Sequence, residues 1–359
     1  MRALMIAPAR GIPVLGPSGA SAHLRGMAWA FHRQDPGLRI VAAAESDHRG
    51  VHGGVPVPVE VSGEPGWPSW LGKWRERRET WHAARLARVA RDGPVPAFIY
   101  ERWSLFADVG RRVRQPGVPW VLEVNAPLAQ ERARFEELRD PAYADAIQRR
   151  TLRAADLLIA VSPWVARWLV EEIGVPEERV RMVSNGVEPH VGDREKARAS
   201  LGVGDRFVIG FLGTMKPWHG ADRLWEVVTA IPGAVGLAVG AGMDDPGPGV
   251  IVAGQVGEQR SADLVAAMDV ALAPYPPDAP RWFSPLKILA YRAQGTPVVA
   301  TDAGEFQHLV GEGGDIVAAD DLEAMVGACL AWRGRRCEPW LRSWDDVARE
   351  VLEAVKSVR

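Results

Sequence analysis

Cysteine is almost missing: Cys329 and Cys337 are the only two in 359 residues. They are too few and too isolated for a disulfide framework or a zinc cluster, which predicts reduced thiols and a cytoplasmic protein. Net charge is nearly missing too, at a formal -2. That balance supplies no basic field of the kind that wraps nucleic acid, so no nucleic-acid partner is expected. The longest uncharged run, residues 227–243, is interrupted by Pro232 and four glycines and falls short of a spanning helix. The opening MRALMIAPARGIP has too short an apolar stretch for a signal peptide and reads as a first buried strand. No Asp-X-Asp motif stands out, and no metal is expected.

What is present is an ordinary globular composition, 47% apolar and 25% charged. Its length suits two domains at roughly 150 residues each. Short apolar runs alternate with helix-like segments, the pattern of parallel sheets flanked by helices. Strands are predicted at 3–8, 38–43, 97–100, 120–124, 157–161 and 180–184, and in a second series at 207–212, 235–239, 250–253, 270–273, 298–300 and 315–317. The two series predict two doubly wound α/β domains, 1–188 and 189–341, with a polar linker over 185–196. From Trp344 onward, Val347, Ala348, Val351, Leu352 and Val355 keep a helical period. Residues 342–359 are expected as a helix crossing the domain junction.

In open α/β sheets ligands bind beyond the carboxyl ends of strands, so the residues just after the strands are informative. After 207–212 comes GTMKPWHG, where Gly213 permits a sharp turn and Lys216 supplies a positive charge. The stretch WFSPLKILAYRAQGTPVVATDAG at 282–304 reads as a helix start, a turn and a strand. Ser284 is expected to cap that helix, with Pro285 at its first position and Lys287 adding charge to free amides that suit a phosphate. Lys216 and the Ser284–Pro285–Leu286–Lys287 helix start would then cradle a diphosphate. A capped helix with a surface lysine fits the same residues. GPSGASAH at 16–23 offers a second glycine turn opening a helix, while the GAG at 240–242 lacks a dinucleotide fingerprint.

His23 lies within reach of an acceptor or phosphate in this reading, or is a helix-surface or capping histidine. Glu101 and Arg102, at the end of a strand, line an acceptor pocket or form a salt bridge. Trp67, Trp70, Trp74 and Trp81 interleave with Lys73, Arg75, Arg77, Arg78, Arg85 and Arg88. That mixture fits a weak peripheral contact with an anionic membrane, or a solvated helix with a buried stripe.

Taken together, GIPVLGPSGASAHLRGMAWAF, FIYERWSLFADVG, WVLEVNAPLAQERARF, ADLLIAVSPWVARWLVEEIGVPEERVRMVSNGV, GFLGTMKPWHGADRLWE and SPLKILAYRAQGTPVVATDAGE resemble, in order and nearly end to end, a family 4 retaining glycosyltransferase with the GT-B fold. The resemblance implies two Rossmann-like domains facing across a cleft. The second holds a UDP- or GDP-sugar donor, the first a small-molecule, glycan or lipid-linked hydroxyl acceptor, and no cofactor is needed. It places Gly213, Lys216 and Ser284 to Lys287 on the diphosphate, Gly19 facing it, and the backbone of Ala253-Gly254-Gln255-Val256 on the base. The acceptor side receives His23, Glu101, Arg102 and Asn125.

This chain departs from the family pattern in places. Members commonly carry two glutamates eight positions apart around the helix start, for donor sugar and ribose; Trp282 and Ala290 stand there. Where many relatives place a histidine, Asn125 stands, and an amide does not titrate. Catalysis is therefore expected to rest on Lys216, Lys287 and Asn125, with the leaving phosphate taking the acceptor's proton. Two alternatives share the scaffold: a catalytically altered sugar-nucleotide-binding protein, and a sugar-nucleotide 2-epimerase, which needs carboxylates that the motif helix lacks. Oligomeric state is not encoded in these motifs.

Overall fold

The computed structural model describes residues 2–48, 50–63, 75–214, 216–242, 247–304 and 306–358. The chain divides into two compact units, Met1–Gly186 with Trp344–Arg359, and Val187–Ser343.

The first unit is built on seven parallel strands: β1 (Ala3–Ala7), β2 (Arg39–Ala42), β3 (Val59–Val61), β4 (Phe98–Arg102), β5 (Trp120–Val124), β6 (Leu157–Ala160) and β7 (Val180–Met182). Their spatial order is β3-β2-β1-β4-β5-β6-β7. The inner strands are buried along their whole length, as Leu4, Ile6, Trp120, Leu122 and Ile159 illustrate. Burial on both faces is what makes such strands read as continuous apolar runs. The strand missed from sequence, β3, is the edge strand. Its Val59-Glu60-Val61 is half-exposed and follows a proline, so it carries no apolar run to detect.

The second unit has six parallel strands: β8 (Val208–Leu212), β9 (Val235–Val239), β10 (Val250–Gly254), β11 (Val270–Ala273), β12 (Val298–Thr301) and β13 (Gly314–Val317). Their order is β10-β9-β8-β11-β12-β13. One face packs Val235, Leu237, Leu264, Ile288 and Tyr291 together. The other packs Ile209, Phe211, Leu224, Leu272 and Met325.

The expected linker is not a free connector. Val187 N donates to the Arg342 carbonyl and Gly192 N to Gln294 Oε1, so the segment is stitched to the second unit. A helix, Arg194–Leu201, already begins inside it, capped by Asp193 accepting from Lys196 N and closed by Gly202 at φ 64°. The final helix, Trp344–Lys356, buries Trp344, Val347, Ala348, Val351 and Val355 in the first unit. Trp344 lies over Gly26 of the helix Gly19–Gln34, where an added Cβ would come within 2.2 Å of the indole. No described helix is long and apolar enough to cross a membrane.

Each sheet has one topological switch point, where successive connections leave in opposite directions: between β1 and β4 in the first unit, and between β8 and β11 in the second. The carboxyl ends of those strands are where doubly wound sheets hold ligands.

Candidate functional site

At the second unit's switch point, β8 runs into Gly213 and β11 into Pro274, and both connections depend on glycine. Gly213 sits at φ 147° with its N–H on the Val239 carbonyl. Gly220 sits at φ 60°, and a Cβ there would lie 1.8 Å from the Pro274 carbonyl oxygen. The loop between them carries Lys216, which is exposed with its Nζ 5.8 Å from the centre of the Trp218 ring.

Facing this loop is the helix Leu286–Ala293. Its N-cap is Pro285, at φ −76° and ψ 108°, so Ser284 is not the cap expected from sequence and Pro285 is not the first helical residue. Pro285 itself is extended at ψ 108°, so helical dihedrals begin only at Leu286. Ile288 N bonds back to the Pro285 carbonyl at 3.1 Å, which leaves the Leu286 and Lys287 amides at the positive end of the helix dipole.

Lys287, in that first turn, is only 8% exposed. Among the described residues its Nζ has no hydrogen-bond partner, and it lies 4.1 Å from the centre of the Phe211 ring and 5.1 Å from that of Tyr275. A Cβ on Gly213 would be 3.2 Å from the same nitrogen. Burial lowers the Lys287 pKa to about 7. Next to it stands His219, which the sequence reading passed over. Its Nδ1–H donates to the Thr214 carbonyl at 2.8 Å, and burial, then the charges of Lys287 and Lys216, push its pKa down to about 4. The signal available in sequence was its place three residues after Lys216 and directly before Gly220.

The remaining donor-side residues share this end of the sheet. Gly254 ends β10, followed by exposed Gln255 and by Val256, which packs against the core. Ala290, where a carboxylate was to be looked for, is a half-buried methyl, and Trp282 is half-buried before the helix. On the following turn the Tyr291 hydroxyl accepts from Leu212 N at 2.7 Å and donates to the Leu272 carbonyl, pinning the helix to β8 and β11.

In the first unit, Gly19 opens the helix after β1, whose N-cap Ser18 accepts from Ser21 N. His23, one turn on, is buried rather than on the surface. Its Nε2 meets Glu123 Oε2 at 2.7 Å and its ring lies 4.7 Å from Trp344. Glu123, a carboxylate inside the apolar strand WVLEV, is the hub of a network the sequence reading did not find. It also accepts from the Tyr100 hydroxyl, from Arg102 NH1 at 2.9 Å and from Asn125 Nδ2 at 2.6 Å. Arg102 NH1 reaches Asn125 Oδ1 at 3.0 Å. Burial alone would raise the Glu123 pKa, but His23, Arg102 and Tyr100 hold it down to about 2. Burial lowers the His23 pKa against the pull of Glu123.

Glu101 belongs elsewhere. Strand alternation turns it to the opposite face from Tyr100 and Arg102. There it is fully buried and accepts from Val109 N, Gly110 N and Trp120 Nε1. Burial pushes its pKa up to about 7, against those three donors. It is a helix anchor and not part of an acceptor pocket. Glu101→Ala, which leaves three buried donors unpaired, is expected to cost the first unit roughly 3 kcal/mol or more. Chemical denaturation reads that loss.

Of the tryptophan and basic stretch, Trp67, Trp70, Lys73 and Trp74 lie outside the described residues. Trp81 is 41% exposed on the helix Arg75–Arg91, with the Arg85 guanidinium 5.3 Å from its ring centre.

Two family models match in succession: Glycosyltransferase Family 4 over residues 17–191 and Glycosyl transferases group 1 over residues 206–332. The chain is 30% identical over 279 residues to a D-inositol 3-phosphate glycosyltransferase of Acidothermus cellulolyticus, covering 68% of this chain and 60% of that protein. It is 28% identical over 273 residues to the protein of the same name from Nocardia farcinica, covering 64% and 58%. These matches therefore span about three fifths of each relative's length. Among solved structures, Anabaena Alr3699/HepE in complex with UDP and glucose superposes with a TM-score of 0.68 at 19% identity, covering 99% of this chain and 100% of that one. Sucrose-phosphate synthase from Thermosynechococcus elongatus gives 0.68 at 17%, covering 100% and 94%.

Proposed function

The chain belongs to glycosyltransferase family 4 and has the GT-B fold, and from that premise we propose that it transfers a sugar, with retention and without a metal ion, from a nucleotide-diphosphate sugar to a hydroxyl acceptor. The observation that carries the donor assignment is the buried, unpaired Lys287 ammonium in the first turn of a helix at a switch point. Neither a core nor a surface calls for a cation there; a diphosphate does.

In this proposal Lys216, Lys287 and the first-turn amides of the second unit stabilise the charge that develops on the leaving diphosphate. Gly213 lets the backbone approach it, and the backbone at Gln255 and Val256 takes the base. Arg102 and Asn125 receive the acceptor in the first unit, with His23 holding Glu123 behind them. The HepE structure carries UDP and glucose, which makes a uridine donor the first to try.

The test is calorimetric titration of the whole chain with UDP-glucose and GDP-mannose, followed by turnover assays across hydroxyl acceptors. Lys216→Ala is expected to lower turnover by roughly tenfold, the loss of one exposed charge-assisted contact, and more than His23→Ala does. Equal activity in Lys216→Ala and the wild type would refute the diphosphate assignment. Tight nucleotide binding with no transfer to any acceptor would favour the non-catalytic reading, to which the Ala290 methyl lends its one specific support.

A further inference from the structure

We propose that above neutral pH the empty donor pocket holds Lys287 largely uncharged and takes up a proton when the nucleotide diphosphate arrives, so that donor binding by this chain is proton-coupled there. The proposal rests on the diphosphate reading above and adds to it the charge state of the empty site.

The geometry leaves the ammonium unsupported. Among the described residues its Nζ has no hydrogen-bond partner, and its near neighbours are the Phe211 and Tyr275 rings and the backbone of Gly213. Aromatic faces return only part of the hydration that a buried ammonium has lost. The titratable groups that face it are Lys216 and His219 from the loop after β8, Tyr275 from the segment after β11, and Tyr291 from its own helix. None of these is an anion near neutrality. Burial raises both phenols well above their ordinary range, so they remain protonated, and Lys216 is a like charge. His219 donates Nδ1–H to Thr214, so its neutral ring turns a lone pair on Nε2, not a charge, to its surroundings. The helix amides at Leu286 and Lys287 add further positive potential. Among the described residues, burial, the Lys216 charge and the helix amides all favour the free amine, the two rings offset only part of that, and an incoming diphosphate brings the opposite charge.

The sign follows from linkage. Below about pH 7 Lys287 already carries its proton, and binding draws none. Above it, binding must supply up to one proton, and affinity falls by up to about tenfold per pH unit until the lysine of the complex itself titrates. A surface lysine charged throughout gives a flat profile over the same range.

The experiment is titration of the full chain with UDP-glucose, whose phosphates titrate far below neutrality, in pairs of buffers with different ionisation enthalpies. At about pH 8 the dependence of heat on buffer is expected to show uptake of roughly half a proton to one proton, falling toward zero near pH 6. Lys287→Arg, which stays charged, is expected to bind without uptake, and His219→Gln to keep it. Binding by the wild type with no uptake at either pH overturns the proposal and leaves the diphosphate reading standing. Uptake that survives Lys287→Arg or vanishes in His219→Gln assigns the proton to another group and overturns it too. No binding of UDP-glucose or GDP-mannose removes the diphosphate reading and this inference together.

Discussion

Lys287→Met is expected to weaken UDP-glucose binding by roughly 100-fold and, in the same protein, to raise the melting temperature of the second unit by roughly 5 °C. Both effects come from one nitrogen. A charge-assisted hydrogen bond to phosphate contributes about 1.5–3 kcal/mol, and in a site this buried the upper end applies. Every 1.4 kcal/mol is tenfold in affinity. In the unliganded protein the same lysine is a liability, because its pKa falls from 10.5 to about 7 on burial alone, so folding must either bury its charge or strip its proton. A lysine whose folded pKa is depressed destabilises most below that folded pKa, and the penalty fades as pH rises toward the unfolded value. At neutral pH it amounts to a few kcal/mol by linkage. A thioether of similar length removes it while filling the space beside Phe211 and Tyr275. Calorimetric binding and scanning calorimetry on one preparation check both. An unchanged Kd would place the diphosphate elsewhere, and a lowered melting temperature would show that the ammonium is paired in solution.

Gly220→Ala is expected to cost the second unit roughly 4 kcal/mol, about 8–15 °C in melting temperature, and to abolish donor binding. The left-handed backbone at φ 60° accounts for about 1–2 kcal/mol of that for any residue with a Cβ. The rest comes from contact, since the new carbon would stand 1.8 Å from the Pro274 carbonyl oxygen and must push the loop bearing Lys216 and His219 away from the end of β11. Gly202→Ala separates the two terms. Its φ is 64°, yet nothing lies within 4 Å of its missing Cβ. It is expected to lose only the conformational part and to bind donor normally. Equal losses in the two variants would show that Gly220 is needed for its dihedral angle alone.

The strands were legible because a parallel strand covered on both faces needs nothing but apolar residues, as ALMIA and VGLAV show. β3 was not, because an edge strand is under no such demand. The donor site was legible in part. Glycine after β8, lysines and a proline-led helix start are chemical types that a reader can locate. That Lys287 lies near two aromatic rings is a packing outcome, fixed by where Phe211 sits on β8 and Tyr275 just past the end of β11, and no local pattern encodes it. His219 and Glu123 escaped for opposite reasons. The histidine looked like a loop residue, and the glutamate was hidden inside a strand whose other members are apolar. A charged residue within such a run, beside FIYER on the adjacent strand, is itself the mark of a buried network. Glu101 was misread because strand parity, not proximity to a strand end, decides which face a side chain meets.

The Trp344–Lys356 helix has a consequence for synthesis. The indole that lies over Gly26 is added only after the whole of Val187–Ser343 has been synthesised. At about 5–20 residues per second, the newborn amino-terminal sheet waits on the order of ten seconds or longer with one flank of its opening helix bare. During that interval a ribosome-bound chain presents apolar surface that the finished molecule never shows. Chaperone occupancy on the nascent polypeptide would be concentrated there.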